Sequence, residues 1–216
     1  MKKILSLLLI FSFCSLFSEN TIAPYNEVKE LLPENRQGNQ SFFFNGPQLK
    51  RMIKEKKPKI VVELGSWLGE SAIFMAELLP QDGKLYAVDH WEGSIEHHEW
   101  ENSKKLLPTL YQQFLSNVIH AKLTHKIVPI KASTYDAFFS LDVKADMIYV
   151  DAAHDEKNVF QDIHLWYSKL KPGGIMCGDD WAWGTVRTAV KKYAKVHNLE
   201  IVSDNFFWYY KPKEVN

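Results

Sequence analysis

Cysteine is scarce in this chain of 216 residues: Cys14 and Cys177 are the only two. One falls in an apolar leader and the other in a predicted strand, so no disulfide framework organises the fold. Net charge is missing as well. Lysine plus arginine and aspartate plus glutamate number 26 each, which removes the global field that a nucleic-acid or membrane-surface binder uses to gather its partner. The apolar run at residues 4–17 is about fourteen residues long, short of the roughly twenty that a membrane-spanning helix needs. Residues 59–212 contain no internal repeat and no low-complexity linker. What the chain does have is rings. Phe, Trp and Tyr make up 13% of it, enough to line a pocket, although core packing accounts for most of them.

Lys2 and Lys3 precede the apolar run, and Leu16-Phe17-Ser18 is an acceptable cleavage site before Glu19. Residues 1–18 are therefore expected to be a signal peptide or N-terminal anchor, which makes the chain exported or membrane-anchored, and cytoplasmic only if the leader does not function. Cys14 lacks the small preceding residue that lipoprotein processing prefers. Residues 19–58 read as a polar cap segment, with a short helix at 25–32 ended by Pro33 and a second at 48–56 with Leu49, Met52 and Ile53 on one face. Between them, Phe42, Phe43 and Phe44 sit in a loop, either as buried cover or as part of a substrate mouth.

The chain is organised around residues 59–76, KIVVELGSWLGESAIFMA. Residues 60–64 form a continuous apolar run, as in a strand buried on both faces. Gly65-Ser66-Trp67-Leu68-Gly69 is a turn, and residues 70–79 then carry Ile73, Phe74, Ala76 and Leu78 at helical spacing. A strand, a glycine turn and a helix form half of a parallel α/β unit, whose turn lies where open α/β sheets bind ligands. Glycines there allow close backbone approach, and the helix N-terminus behind them offers free N–H groups.

The remainder alternates strand and helix. Strands are expected at residues 84–88, 126–130, 146–150, 175–178, 199–202 and 206–210, and helices at 104–120, 135–140, 156–170 and 185–197. Lys171-Pro172-Gly173-Gly174 reads as a tight turn before the fifth strand. The expected fold class is α/β, a Rossmann-like doubly wound sheet of about seven mostly parallel strands closed by a C-terminal antiparallel strand. Residues 92–102 read as a polar, histidine-rich insertion. His97, His98 and Glu99 lack the further Cys or spaced His of a zinc set, which leaves a mobile lid with solvated histidines.

In a parallel sheet the strand ends share one edge. Here they bring Glu63 and Gly65, Asp89, Asp151, and Asp179 with Asp180 to a single crevice. Asp89 follows Gly65 by 24 residues, where an acid can accept the hydroxyls of a ribose. A dinucleotide turn usually reads G-x-G-x-x-G. This one reads Gly65-x-x-x-Gly69 with Trp67 in the middle and Glu63 before it, so acidic groups near the turn favour a cationic ligand, S-adenosylmethionine, over NAD. Asp151 and the Asp179-Asp180 pair come from strands roughly 4.8 Å apart. Three such carboxylates repel one another unless a cation neutralises them, and an all-oxygen set fits Mg²⁺. Helix capping by Asp151 or Asp180 is the competing reading.

Glu63-Leu64-Gly65-Ser66-Trp67-Leu68-Gly69-Glu70-Ser71-Ala72 resembles the first motif of class I S-adenosylmethionine-dependent methyltransferases, in particular the catechol O-methyltransferase-like branch. Residues 86–93, 146–154 and 170–174 resemble its later motifs, closest to a bacterial subgroup that tailors small molecules. The resemblance implies a methyltransferase domain at residues 59–212. In it Glu63, Gly65, Ser66 and Ser71 would hold the methionine part of the cofactor, with Gly69 also at the cofactor, and Asp89 its ribose; His90, Trp91 and Ser133 would lie beside the adenine, core packing being the competing reading for Trp91. It also implies an acidic metal ligand at each of Asp151, Asp179 and Asp180. His154 stands where the branch places a catalytic lysine, with Asp151 beside it and Asp155 in reserve. The activity implied is Mg²⁺-assisted methyl transfer to a small-molecule hydroxyl, Trp181 and Trp183 walling the acceptor. No nucleic-acid partner is expected, the membrane is met only through the leader, and oligomeric state stays open. The alternatives are an exported, non-catalytic binding module with this fold, or a hydroxylase-like member of the same subgroup.

Overall fold

A computed structural model describes residues 23–36 and 42–211. The leader expected at residues 1–18 lies outside them. Strand β1 (Ile60–Leu64) lies inside a seven-stranded sheet, paired on both sides, as its apolar run requires. The others are β2 (Lys84–Asp89), β3 (Ile127–Lys131), β4 (Ala145–Val150), β5 (Leu170–Gly178), β6 (Ile201–Asp204) and β7 (Phe207–Tyr210), in the order β3-β2-β1-β4-β5-β7-β6. Strands β1 to β5 pair in parallel, and β7 pairs antiparallel with both β5 and β6. The chain winds outward from β1 to β3, then returns to β4 beside β1. That reversal is where a doubly wound sheet opens a crevice.

Helices α1 (Gly46–Lys56), α2 (Glu70–Leu78) and α5 (Leu110–His120) cover one face, burying Leu49, Ile53, Ile73, Met75, Phe114 and Val118 against Val61, Leu85 and Met147. Helices α6 (Thr134–Ser140), α7 (Glu156–Trp166) and α8 (Gly184–His197) cover the other, with Ile163, Trp166, Val190 and Tyr193 against Val62, Ile148 and Met176. Successive strand residues alternate between these two cores, the period-two rule of a sheet covered on both sides. Cys177 is a buried free thiol in β5, as expected of a strand residue. Two short helices, α3 (Ile95–Glu99) and α4 (Glu101–Leu106), cross the carboxyl edge of the sheet. Among the described residues no helix is long and apolar enough to cross a membrane.

Three expectations change. Residues 25–32 are not a helix beyond a 3-10 turn at Tyr25–Glu27. The backbone N–H of Leu32 donates to Ser116 Oγ at 3.1 Å and that of Asn35 to Asn117 Oδ1 at 2.9 Å, so side chains of α5 satisfy it instead. The helix expected at 104–120 splits, because Pro108 has no N–H to continue it, and a 3-10 turn at Leu107–Thr109 separates α4 from α5. Residues 171–174 form a bulge within β5: Ala145 pairs with Leu170 and Met147 with Ile175, so one residue of β4 faces four.

Candidate active site

Strand register puts the candidate groups on one row. Leu64 pairs with Val88 and with Val150, and Val150 pairs with Gly178. The pairing runs one residue further, Gly65 N–H donating to Val88 O at 2.8 Å, Asp151 N–H to Leu64 O at 2.8 Å and Asp179 N–H to Val150 O at 3.0 Å. Gly65, Asp89, Asp151 and Asp179 therefore stand side by side at the carboxyl edge.

The glycine turn is held by its acids. Asp89 Oδ2 accepts the N–H groups of Ser66 and Trp67, both at 2.9 Å, and its Oδ1 accepts that of Trp91 at 2.7 Å. Trp67 and Trp91 have φ of 46° and 53°, a left-handed backbone that costs a side-chain-bearing residue about 1 kcal/mol or more unless its surroundings hold it. Glu63 is fully buried and accepts the hydroxyls of Ser66 and Ser71, each at 2.5 Å. Burial pushes its carboxyl up to about 7, against the pull of the two hydroxyls. Gly65, at φ 84°, is needed for chain packing: a Cβ there would lie 2.0 Å from Asp151 O. Gly69, at φ 85° on the N-cap of α2, would set its Cβ 2.9 Å from the Phe114 ring.

Of the residues expected beside the adenine, His90 is half-exposed, its Nδ1 accepting the Glu92 N–H at 2.9 Å. Ser133 caps α6, accepting the Asp136 N–H at 3.0 Å and donating to its carboxylate at 2.6 Å. Trp91 corrects the expectation. Its ring is buried between Tyr111 and Phe114, and its indole N–H donates to Trp67 O at 2.9 Å, so it is a core residue behind the turn.

The second group of acids crowds. Burial, reinforced by Asp179 and Asp180, pushes the Asp151 carboxyl well up, and burial with Asp180 pushes Asp179 to about 6. Asp179 accepts the Tyr149 hydroxyl at 3.4 Å and the Asp180 N–H at 2.6 Å. Asn45 in turn donates to the Tyr149 oxygen at 3.3 Å. Asp180, at φ 60°, lies 2.9 Å from His154 Nε2. Burial draws the His154 pKa down, but Asp180 and Glu96 outweigh it, and the net shift is upward. With Asp180 turned to His154, no three Asp, Glu, His or Cys side chains among the described residues are arranged around a common ion, so the expected metal set is not assembled in this arrangement. Asp155 is an N-cap, accepting the Asn158 N–H at 3.0 Å.

The insertion also differs from the expectation. His97 is half-buried rather than solvated, stacked on Trp67 at 4.0 Å and 13°, and burial pushes its pKa down to about 4. Phe42 packs against Trp67, His97 and Trp100 beneath it. Phe43 packs on Phe74, whereas Phe44, 68% exposed, packs on Phe206. Trp183 stacks on His154 at 4.7 Å, while Trp181 packs into the second core. Glu96, Asn45 and Tyr149 are neighbours of the site that sequence reasoning missed, since nothing in a polar insertion, a ring-rich loop or a strand interior marks them.

A family model described as a methyltransferase domain matches residues 62–181, a stretch that runs from β1 to the acid pair after β5 and so contains every residue placed above from Glu63 to Asp180. The chain belongs to this methyltransferase family. Solved structures agree on the fold of this methyltransferase. The O-methyltransferase TomG from Streptomyces achromogenes, solved in complex with SAM, is 17% identical over 78% of this chain and 80% of its own, with a TM-score of 0.59. The O-methyltransferase NovP is 16% identical over 79% and 80%, with a TM-score of 0.62. An O-methyltransferase from Bacillus cereus in complex with SAH is 14% identical over 87% and 90%, with a TM-score of 0.56.

Proposed function

We propose that this methyltransferase moves the methyl group of S-adenosylmethionine to a hydroxyl of a small-molecule acceptor, with Mg²⁺ at the acid cluster. The observation that carries the reading is the row of acids at one sheet edge. Glu63, Asp151 and Asp179 all have their carboxyls pushed up by burial, with neighbouring acids adding to the push. Such a crevice disfavours further negative charge and welcomes a sulfonium and a divalent cation. The TomG and Bacillus cereus structures, with SAM and SAH bound, support the choice of cofactor.

Glu63, Ser66 and Ser71 form a brace under the turn, which shapes the surface offered to the methionine part. Asp89 uses three of the roughly four acceptor positions of a carboxylate on backbone N–H groups and keeps one for a ribose hydroxyl. Asp151, Asp179 and, once turned away from His154, Asp180 would hold the metal, whose chemistry is to lower the pKa of a bound hydroxyl. His154 stands beside them to take the acceptor proton, which requires that it first lose the one that Asp180 and Glu96 favour. Trp183 and Phe44 offer exposed rings to the acceptor. The test is formation of S-adenosylhomocysteine by the purified chain with phenol and sugar acceptors, with and without Mg²⁺. Residues 1–18, read as an export signal or anchor, would carry the domain away from the cytoplasm, and cell fractionation of the full chain checks that placement.

A further inference from the structure

Two consecutive residues of α3 reach opposite walls of the crevice. The N–H and hydroxyl of Ser94 lie 3.1 and 2.9 Å from Nδ1 of His97 and fix that ring. The ring then lies flat on Trp67, above the glycine turn. With the helix seated by this stack, the preceding residue, Glu96, faces the acid cluster. Its Oε1 is 3.6 Å from Nδ1 of His154, a buried nitrogen with no hydrogen-bond partner among the described residues. The other nitrogen of that imidazole is 2.9 Å from Asp180, and its face lies on Trp183.

Leaving a buried ring nitrogen without a partner is unfavourable, and 3.6 Å is just beyond a hydrogen bond. A shift of well under an ångström in a five-residue helix makes the bond. Without it, Asp180 alone holds the ring, and a flip about the Cβ–Cγ bond puts Cε1 where Nε2 stands and takes the nitrogen away from the cluster. We propose that Glu96 is a positioning residue for His154: the carboxylate on α3 engages Nδ1 and holds the ring in the orientation that keeps Nε2 turned to the acids. Closure of α3 and orientation of the base are then one event. The inference rests on the assignment of His154 made above.

The experiment uses the full chain with ¹⁵N-labelled histidine, the His154 ring signals being assigned through His154→Gln. Glu96→Ala should move the Nδ1 resonance of His154 most and shift the Nε2 resonance as its contact with Asp180 loosens, with Glu96→Gln intermediate. In turnover, Glu96→Ala should lower kcat about tenfold, a loss of about 1.4 kcal/mol, while the cofactor KM stays within about twofold. The same change in a His154→Gln background should cost nothing further, as two residues acting through one group require. An Nδ1 resonance indifferent to Glu96→Ala, or losses that add in the double variant, overturns the proposal. If the wild-type chain transfers no methyl group but the resonance moves as expected, the positioning stands and the functional reading falls.

Discussion

The carboxylate of Asp89 at the end of β2 accepts the backbone N–H of Ser66 in the turn after β1 at 2.9 Å. One side chain thus joins two neighbouring strand ends, and through its bonds to Trp67 and Trp91 it also holds two residues with left-handed backbone. The acid that offers a lone pair to a ribose is the same acid that shapes the turn around the cofactor.

Asp89→Ala removes all three bonds. The side chain is mostly buried, and hydrogen bonds to a charged group are worth roughly 1.5–3 kcal/mol each, so the loss of stability should reach about 3 kcal/mol. Affinity for S-adenosylhomocysteine should fall at least tenfold. Urea unfolding and calorimetry measure the two effects.

Gly65→Ala should be more damaging than the same change at Gly173. Both have positive φ, but the new Cβ at position 65 meets Asp151 O at 2.0 Å, whereas at position 173 it meets nothing within 4 Å. Backbone strain alone costs about 1–2 kcal/mol; the clash with a neighbouring strand should raise the cost at Gly65 to about 4 kcal/mol or prevent folding. Thermal unfolding of the two variants compares them.

Asp162, buried in α7 and accepting the Thr134 hydroxyl at 2.6 Å, has its carboxyl pushed up to about 7 by burial. The folded chain keeps this proton at pH values where the unfolded chain has released it. The contribution to stability is therefore whole below about pH 4 and declines as pH rises to about 7. Asp162→Asn cannot titrate and should flatten that part of the stability curve, measured by denaturant unfolding from pH 4 to 8.

Asp179→Ala removes one acid of the cluster and leaves the glycine turn untouched. It should abolish Mg²⁺-stimulated turnover while cofactor affinity changes less than about threefold, under 1 kcal/mol. Turnover that persists and ignores chelators contradicts the metal role.

Local signals carried most of the fold. The apolar run of β1, its glycine turn and the periodic face of α2 stand in the chain within a residue of where they were read. The sheet edge followed, because four strand ends carry acids or glycine and parallel pairing must align them. Contacts between distant segments were not legible. Residues 28–32 lose their expected helix, Leu32 bonding instead to a side chain of α5 some eighty positions later. Trp91 is placed beside the adenine by the resemblance, with core packing as the competing reading, and its ring, at φ of 53°, is buried in the core. The glycines were read as room for a ligand, and at Gly65 the space is taken by Asp151 backbone. Glu96 owes its place beside His154 to the His97–Trp67 stack, which only the folded chain brings together.

The most direct test of the account is calorimetric titration of the full chain with S-adenosylhomocysteine, in the presence and absence of Mg²⁺. One saturable site per chain, weakened at least tenfold (about 1.4 kcal/mol) by Asp89→Ala and little changed by Asp179→Ala, is the predicted result. No binding in either condition, or binding indifferent to Asp89, contradicts the placement of the cofactor at this sheet edge.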